Sequence, residues 1–197
     1  MILTENEKRV LRFLAANVAR DYSINDVAKA CGITPNGAHK MLTKLEREGV
    51  LNAKQIANIK AYKPDFENEK TSKVYELAFM PDELQGRVKL RAEDLKQLRV
   101  VTKACILFGS YITAKQKPGD LDALFVVDGG SFESYKKTLA RVQDITPVKI
   151  HDIVQTTSDL QQNLKKSDPI VTEALHKGIA LWGFEIIVEA IKNATLQ

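Results

Sequence analysis

The sequence predicts an α/β (α+β) protein in which three helices and a hairpin precede a mixed sheet with helices. Over the first fifty positions, apolar residues recur at helical spacing behind paired cap residues. Further on, Val100–Phe108 and Asp120–Val127 are apolar runs of strand length on either side of a Gly-Ser turn. Charge is also uneven. Residues 1–65 hold 11 Lys+Arg against 7 Asp+Glu and residues 66–197 hold 18 against 18, so the whole net charge of +4 lies in the first third. That imbalance points the N-terminal part towards a polyanion. The expected division is residues 1–65 for a first domain, 66–99 for a helical linker and 100–197 for a second domain.

Composition narrows the class. The 197 residues are 44% apolar and 27% charged, the balance of a globular chain rather than a disordered one. No uninterrupted apolar run approaches the roughly 18 residues of a membrane span. The opening MILTENEKRV carries no apolar stretch ahead of a cleavage site. Cys31 and Cys105 stand far apart in apolar surroundings, which excludes a disulfide framework and a Cys-rich zinc site. A cytoplasmic protein with no membrane contact is expected.

In the first domain, Thr4 and Glu7 form a capping box, and Val10, Leu11, Leu14 and Val18 follow at helical spacing, predicting a helix from Glu5 to Ala19. A second helix starts at Ser23, with Asp26 at its third position, and ends at Gly32, a residue suited to a left-handed cap. A third starts at Thr34 with Pro35 at its first position and stops at Gly49. Its apolar face is Ala38, Met41, Leu42 and Leu45; Asn36, His39, Lys40, Thr43, Lys44 and Arg47 lie away from it. Val50–Lys54 and Asn58–Lys63 read as strands around a loop at Gln55–Ala57.

Three helices and a hairpin, with Gly32-Ile33 between the second and third helices, resemble the winged helix-turn-helix family. The pattern SINDVAKACGITPNGAHKMLTKLEREGVL carries the resemblance, which covers residues 4–64. It implies DNA as partner. Asn36, His39, Lys40, Thr43 and Lys44 would then face base edges and phosphates, with Lys54 and Lys60 on the wing reaching the backbone or minor groove. A protein-interaction role for the same module stays open.

Glu69–Phe79 and Arg87–Leu98 read as helices separated by Pro81. In the second domain, a strand over Val100–Phe108 ends at Gly109-Ser110, and a second strand begins Asp120-Leu121-Asp122. Ser131–Val142 is a helix, Val148–Val154 a strand, and Ser167-Asp168-Pro169 opens a helix that ends at Gly178. Ile179–Trp182 is an apolar run before a last helix over Phe184–Asn193. His176, Trp182 and Cys105 read as structural.

Gly109 permits a close backbone approach, and exposed N–H groups with the Ser110 hydroxyl suit a phosphate. Asp120 and Asp122, two apart on a strand, share a face, and paired carboxylates call for a hard cation such as Mg²⁺. This is a nucleoside-triphosphate site in outline, suited to nucleotidyl transfer. The segment ILFGSYITAKQKPGDLDALFVV resembles the nucleotidyltransferase superfamily that includes DNA polymerase β, particularly its minimal prokaryotic members. Gly109, Ser110, Asp120 and Asp122 match the motif position by position, and the resemblance covers residues 100–193. The loop departs from the common small-Arg-Gly pattern, and Lys115 and Lys117 would supply positive charge instead.

The resemblance implies Mg²⁺ as cofactor, a nucleoside triphosphate (ATP foremost) as substrate, and a third carboxylate on a neighbouring strand. Alternation along Val148–Val154 places Lys149, His151 and Ile153 on one face and Ile150 and Asp152 on the other. His151 is then the residue facing the site as a base, unless a bulge shifts the register and brings Asp152 there instead. A homodimer, a toxin or other protein partner, and a DNA-binding regulator without turnover are the alternatives that stay open.

Overall fold

The computed structural model describes residues 2–113 and 119–196. Helix α1 (Glu5–Ala16) opens with the Thr4–Glu7 box and closes earlier than the periodicity predicts. The Asn17 amide donates to the Phe13 carbonyl at 2.8 Å, which ends the helix one turn short of Ala19. Helix α2 (Ile24–Cys31) carries the Ser23–Asp26 box and ends on Gly32 at φ +64. Helix α3 (Pro35–Arg47) is capped by the Thr34 hydroxyl, which accepts from the Gly37 N–H at 3.1 Å. Strands β1 (Leu51–Ile56) and β2 (Ile59–Pro64) pair antiparallel, with Ser23 bridging Ala61. The hairpin loop is shorter than expected. Gln55 and Ile56 pair with Lys60 and Ile59, so only Ala57 and Asn58 turn.

The stretch expected to link the domains holds α4 (Glu69–Phe79), α5 (Gly86–Leu95) and a 3₁₀ turn over Lys96–Val100. The strand expected from Val100 starts only at Ala104. Ala104 is the register partner of Val126 at the end of the next strand, and Val100 is exposed. The main sheet has the order β5-β4-β3-β6. At its centre β3 (Ala104–Phe108) pairs antiparallel with β4 (Asp120–Val126) and with β6 (Ile179–Trp182). Helix α6 (Phe132–Ile145) returns the chain so that β5 (Lys149–Gln155) runs parallel to β4. Helices α7 (Thr157–Lys165), α8 (Pro169–Lys177) and α9 (Phe184–Leu196) complete the chain. Helix α7 lies outside the elements expected from the sequence, although Thr156 and Asp159 form its capping box.

Strand parity splits the core. Ala104, Ile106, Phe108, Leu124 and Val126 face a large cluster that includes α1, α2, α4 and α7–α9. Cys105, Leu107, Leu121, Ala123 and Phe125 face a second cluster with Val88, Leu95, Tyr135 and Val142. The large cluster therefore runs from the three N-terminal helices into the sheet without a break. Across α1 and α8, Phe13 meets His176 edge-on at 5.1 Å, and Arg12 donates to the Gly178 carbonyl at 3.3 Å. Cys31 and Cys105 are buried free thiols, and burial pushes the Cys31 thiol up to about 11.

Phe13→Ala should cost about 3–5 kcal/mol, because it empties a buried ring site. Trp182 is the one tryptophan and lies in β6, so it reports on the sheet. Its fluorescence midpoint in urea should fall with the helical circular-dichroism midpoint. Domains with separate cores would leave the tryptophan midpoint where it was.

Burial, with Lys177, Arg12 and Arg9 nearby, holds His176 down at about 4. The unfolded chain takes up this proton near pH 6.5 and the native one only near 4, so stability falls as pH drops through that window. His176→Gln should flatten the loss of stability between pH 6.5 and 4; an unchanged slope would place the titration elsewhere.

Candidate functional site

Two groups of residues carry chemistry. In the first, Asn36, His39, Lys40 and Thr43 are exposed along α3. Lys44 is not free for a ligand. Its ammonium donates to Glu7 at 2.7 Å and ties α3 to α1. Burial would raise the Glu7 carboxyl, but the Lys44 and Thr4 bonds outweigh it and hold it below the usual range. Lys60 is likewise engaged, pairing with Glu46 at 2.7 Å and lying over the Tyr62 ring at 5.3 Å. Of the four lysines expected to meet DNA, Lys40 and Lys54 remain exposed with no partner among the described residues. Arg47, on the polar face of α3 but given no role from sequence, is a further exposed cation.

The second group lies where β3 ends and β4 and β5 begin. Gly109 adopts φ +71 and turns the chain from β3 into a 3₁₀ turn over Gly109–Ile112. A Cβ at this position would stand 2.3 Å from Asp122 Oδ2, so a side chain there is excluded both by conformation and by space. The turn is pinned by Tyr111, which is buried and lies under the Arg87 guanidinium at 5.2 Å. Ser110 is exposed, and its carbonyl accepts from the Thr113 N–H and hydroxyl. Lys115 and Lys117 lie outside the described residues.

Pairing parity gathers the other side chains. Asp120 sits opposite Lys149 and Asp122 opposite His151 in the parallel β4–β5 ladder, placing all four on one face. His151 Nδ1 lies 3.1 Å from Asp122 Oδ1; the imidazole is 64% exposed and the carboxylate 22%. Asp152 is on the opposite face, where it accepts a 2.8 Å hydrogen bond from the Tyr135 hydroxyl. The ladder is regular from Asp120 to Val126, so no bulge turns Asp152 towards Asp122. Burial and the Asp152 bond raise the Tyr135 phenol, which keeps it a donor. Lys149 belongs to the site face. Its alternation with His151 was visible in sequence, but nothing there showed that it would stand across from Asp120.

Among the described residues no group of three or more His, Cys, Asp or Glu is arranged to hold a metal ion. The donors available to one are the two carboxylates of Asp120 and Asp122, hard oxygen ligands that fit Mg²⁺ with several positions left for water and phosphate. Asp122 also accepts from His151 through its other oxygen, which orients the carboxylate.

Residues 3–52 match a family model described as winged helix-turn-helix DNA-binding, and residues 82–174 match a family of unknown function, DUF6932. No curated protein and no solved structure matches the chain. The N-terminal segment is a winged helix-turn-helix DNA-binding domain. Among the described residues no helix is long and apolar enough to cross a membrane.

Lys40→Ala should weaken binding to a mixed-sequence duplex and lower the slope of log affinity against log salt by about one. Lys44→Ala should instead lower thermal stability by about 1–3 kcal/mol, because it leaves the buried Glu7 carboxylate without its cation. An equal loss of salt slope in both variants would show that Lys44 leaves Glu7 to meet phosphate.

Proposed function

We propose that this DNA-binding protein carries a C-terminal nucleotidyltransferase site that moves a nucleotidyl group from a nucleoside triphosphate, ATP foremost, to a hydroxyl acceptor. The observation that carries the reading is the Asp122 carboxylate seated over Gly109, in the space a side chain would take, with Asp120 on the same face. This brings the phosphate-suited turn and the paired acids to one spot. Gly109 and the Ser110 hydroxyl would hold the triphosphate, and Asp120 and Asp122 would hold Mg²⁺. Bound there, Mg²⁺ supplies charge neutralisation for the phosphates and polarises the reacting phosphoryl group.

His151 completes the set. A neutral imidazole that donates its Nδ1–H to Asp122 presents Nε2 as an acceptor. In the transfer, the acceptor oxygen bonds to the α-phosphorus, the bond to the pyrophosphate oxygen breaks, and pyrophosphate leaves. The acceptor proton goes to His151 Nε2. Lys149, across from Asp120, adds positive charge beside the triphosphate.

A second reading has its own support. With Asp152 turned towards Tyr135, the third position holds a histidine instead of a carboxylate. A nucleotide-sensing regulator that binds without turnover needs only the turn and the two acids. A toxin-type protein partner would fit that reading too.

Calorimetric titration of Mg²⁺-ATP into the full chain should give binding that Asp120→Ala/Asp122→Ala abolishes. Gly109→Ala should weaken it at least tenfold, since the new methyl displaces the Asp122 carboxylate. Absence of binding with ATP, GTP, CTP and UTP alike would sink both readings. Binding without pyrophosphate release in the presence of duplex, RNA or protein acceptors would favour the sensor.

A further inference from the structure

The tip of the wing is apolar, and nothing in the DNA-binding assignment accounts for it. Ile56 and Ile59 are register partners across the two-residue turn, with side chains on the same face of the hairpin, and they are 37% and 50% exposed. Both are large apolar side chains left partly in water at the ends of their strands. The pair is not the edge of a core, since neither isoleucine belongs to the buried clusters or to the residues packed on them. Lys54 lies next to it on the same face and is exposed with no partner among the described residues.

The rest of the wing is braced so that the tip projects. On the other face, Lys60 pairs with Glu46 of α3, and Tyr62 is buried under the sheet. Lys63 pairs with Asp21 at 3.2 Å, and Ser23 bridges Ala61. At the turn the Gln55 amide donates to the Ala57 carbonyl at 2.8 Å, which keeps the tip narrow. The tip is therefore a stiff, narrow apolar wedge beside a free cation, on the same hairpin that flanks the exposed face of α3.

We propose that Ile56 and Ile59 insert into the minor groove and part a base step, bending the duplex, while Lys54 holds the adjoining phosphate. β-branched side chains are suited to this use because they are stiff and bring no polar group that would lose water in the groove. The occupant is duplex DNA because the tip is continuous with a DNA-binding domain and its neighbouring charge is positive. Flexible pyrimidine–purine steps would be the preferred point of entry, since they unstack most readily. The proposal rests on DNA binding by the N-terminal domain and specifies how its wing acts.

The test uses the full chain on a duplex recovered by repeated selection from a random-sequence pool, with a fluorophore on each end. Wild type should shorten the end-to-end distance. Ile56→Ser/Ile59→Ser should restore the transfer efficiency of straight DNA and weaken binding at least tenfold, with unchanged circular dichroism because both residues are exposed. Lys54→Ala should keep the bend and lower the salt slope by about one. A wild-type chain that retains no duplex would overturn the wedge together with the DNA reading. Equal bend and affinity in wild type and the double variant would overturn the wedge alone. So would a double variant that binds DNA normally but no longer self-associates in sedimentation, which would make the tip a contact between copies.

Discussion

Helix α1 is buried from several sides at once, and much of the molecule depends on that. Val10, Leu11, Leu14 and Ala15 lie within a cluster shared by the N-terminal helices, α4 and the helices behind the sheet. Only a narrow strip of α1, with Glu5, Asn6 and Arg9, stays at the surface. The helix sets two things together. Through the Glu7–Lys44 pair it fixes the tilt of α3, and through Arg12 and Phe13 it fixes the end of α8 where the chain enters β6. The DNA-binding domain is thus built into the fold rather than tethered to it.

The second constraint is local. Gly109 must take a left-handed turn at the end of β3, and Asp122 uses the room that its missing side chain leaves. Antiparallel pairing brings Phe108 opposite Asp122, and parallel pairing brings His151 opposite the same residue from the other side. Asp122 is therefore held between two strands, with a backbone beneath it and an imidazole beside it. Its neighbour Asp120 is the more exposed acid, at the open end of the strand. The two carboxylates share a face but not an environment.

The basic residues of the N-terminal domain divide in a similar way. A helical projection puts Lys40 and Lys44 together on the polar face of α3, four residues apart. Lys44 faces the buried Glu7 and contributes to stability, whereas Lys40 is exposed and carries no partner among the described residues. On the wing, Lys60 turns back to Glu46 while Lys54 stays open. Glu7 shows why the sequence could not sort them. It reads as a cap residue for α1, which it is, and its second role as the partner of Lys44 spans 37 residues of chain.

What the sequence determined by itself was whatever short-range physics decides. Capping boxes at Thr4 and Ser23, the proline after Thr34, and glycines at positions 32 and 49 placed the first three helices within a turn of their observed ends. Apolar runs located the strands of the sheet, and alternation put Asp120 with Asp122 and separated His151 from Asp152. The Thr156–Asp159 box carries the same kind of signal for α7. The tertiary structure alone decided what depends on distant partners. It set where β3 begins, because its ladder partner ends at Val126, and it joined Ile179–Trp182 to the sheet edge. It also merged the N-terminal helices with the core behind the sheet and seated Asp122 over Gly109. Hydrogen bonds one turn apart are written in neighbouring residues; pairing and burial between distant segments are fixed only when the chain closes on itself.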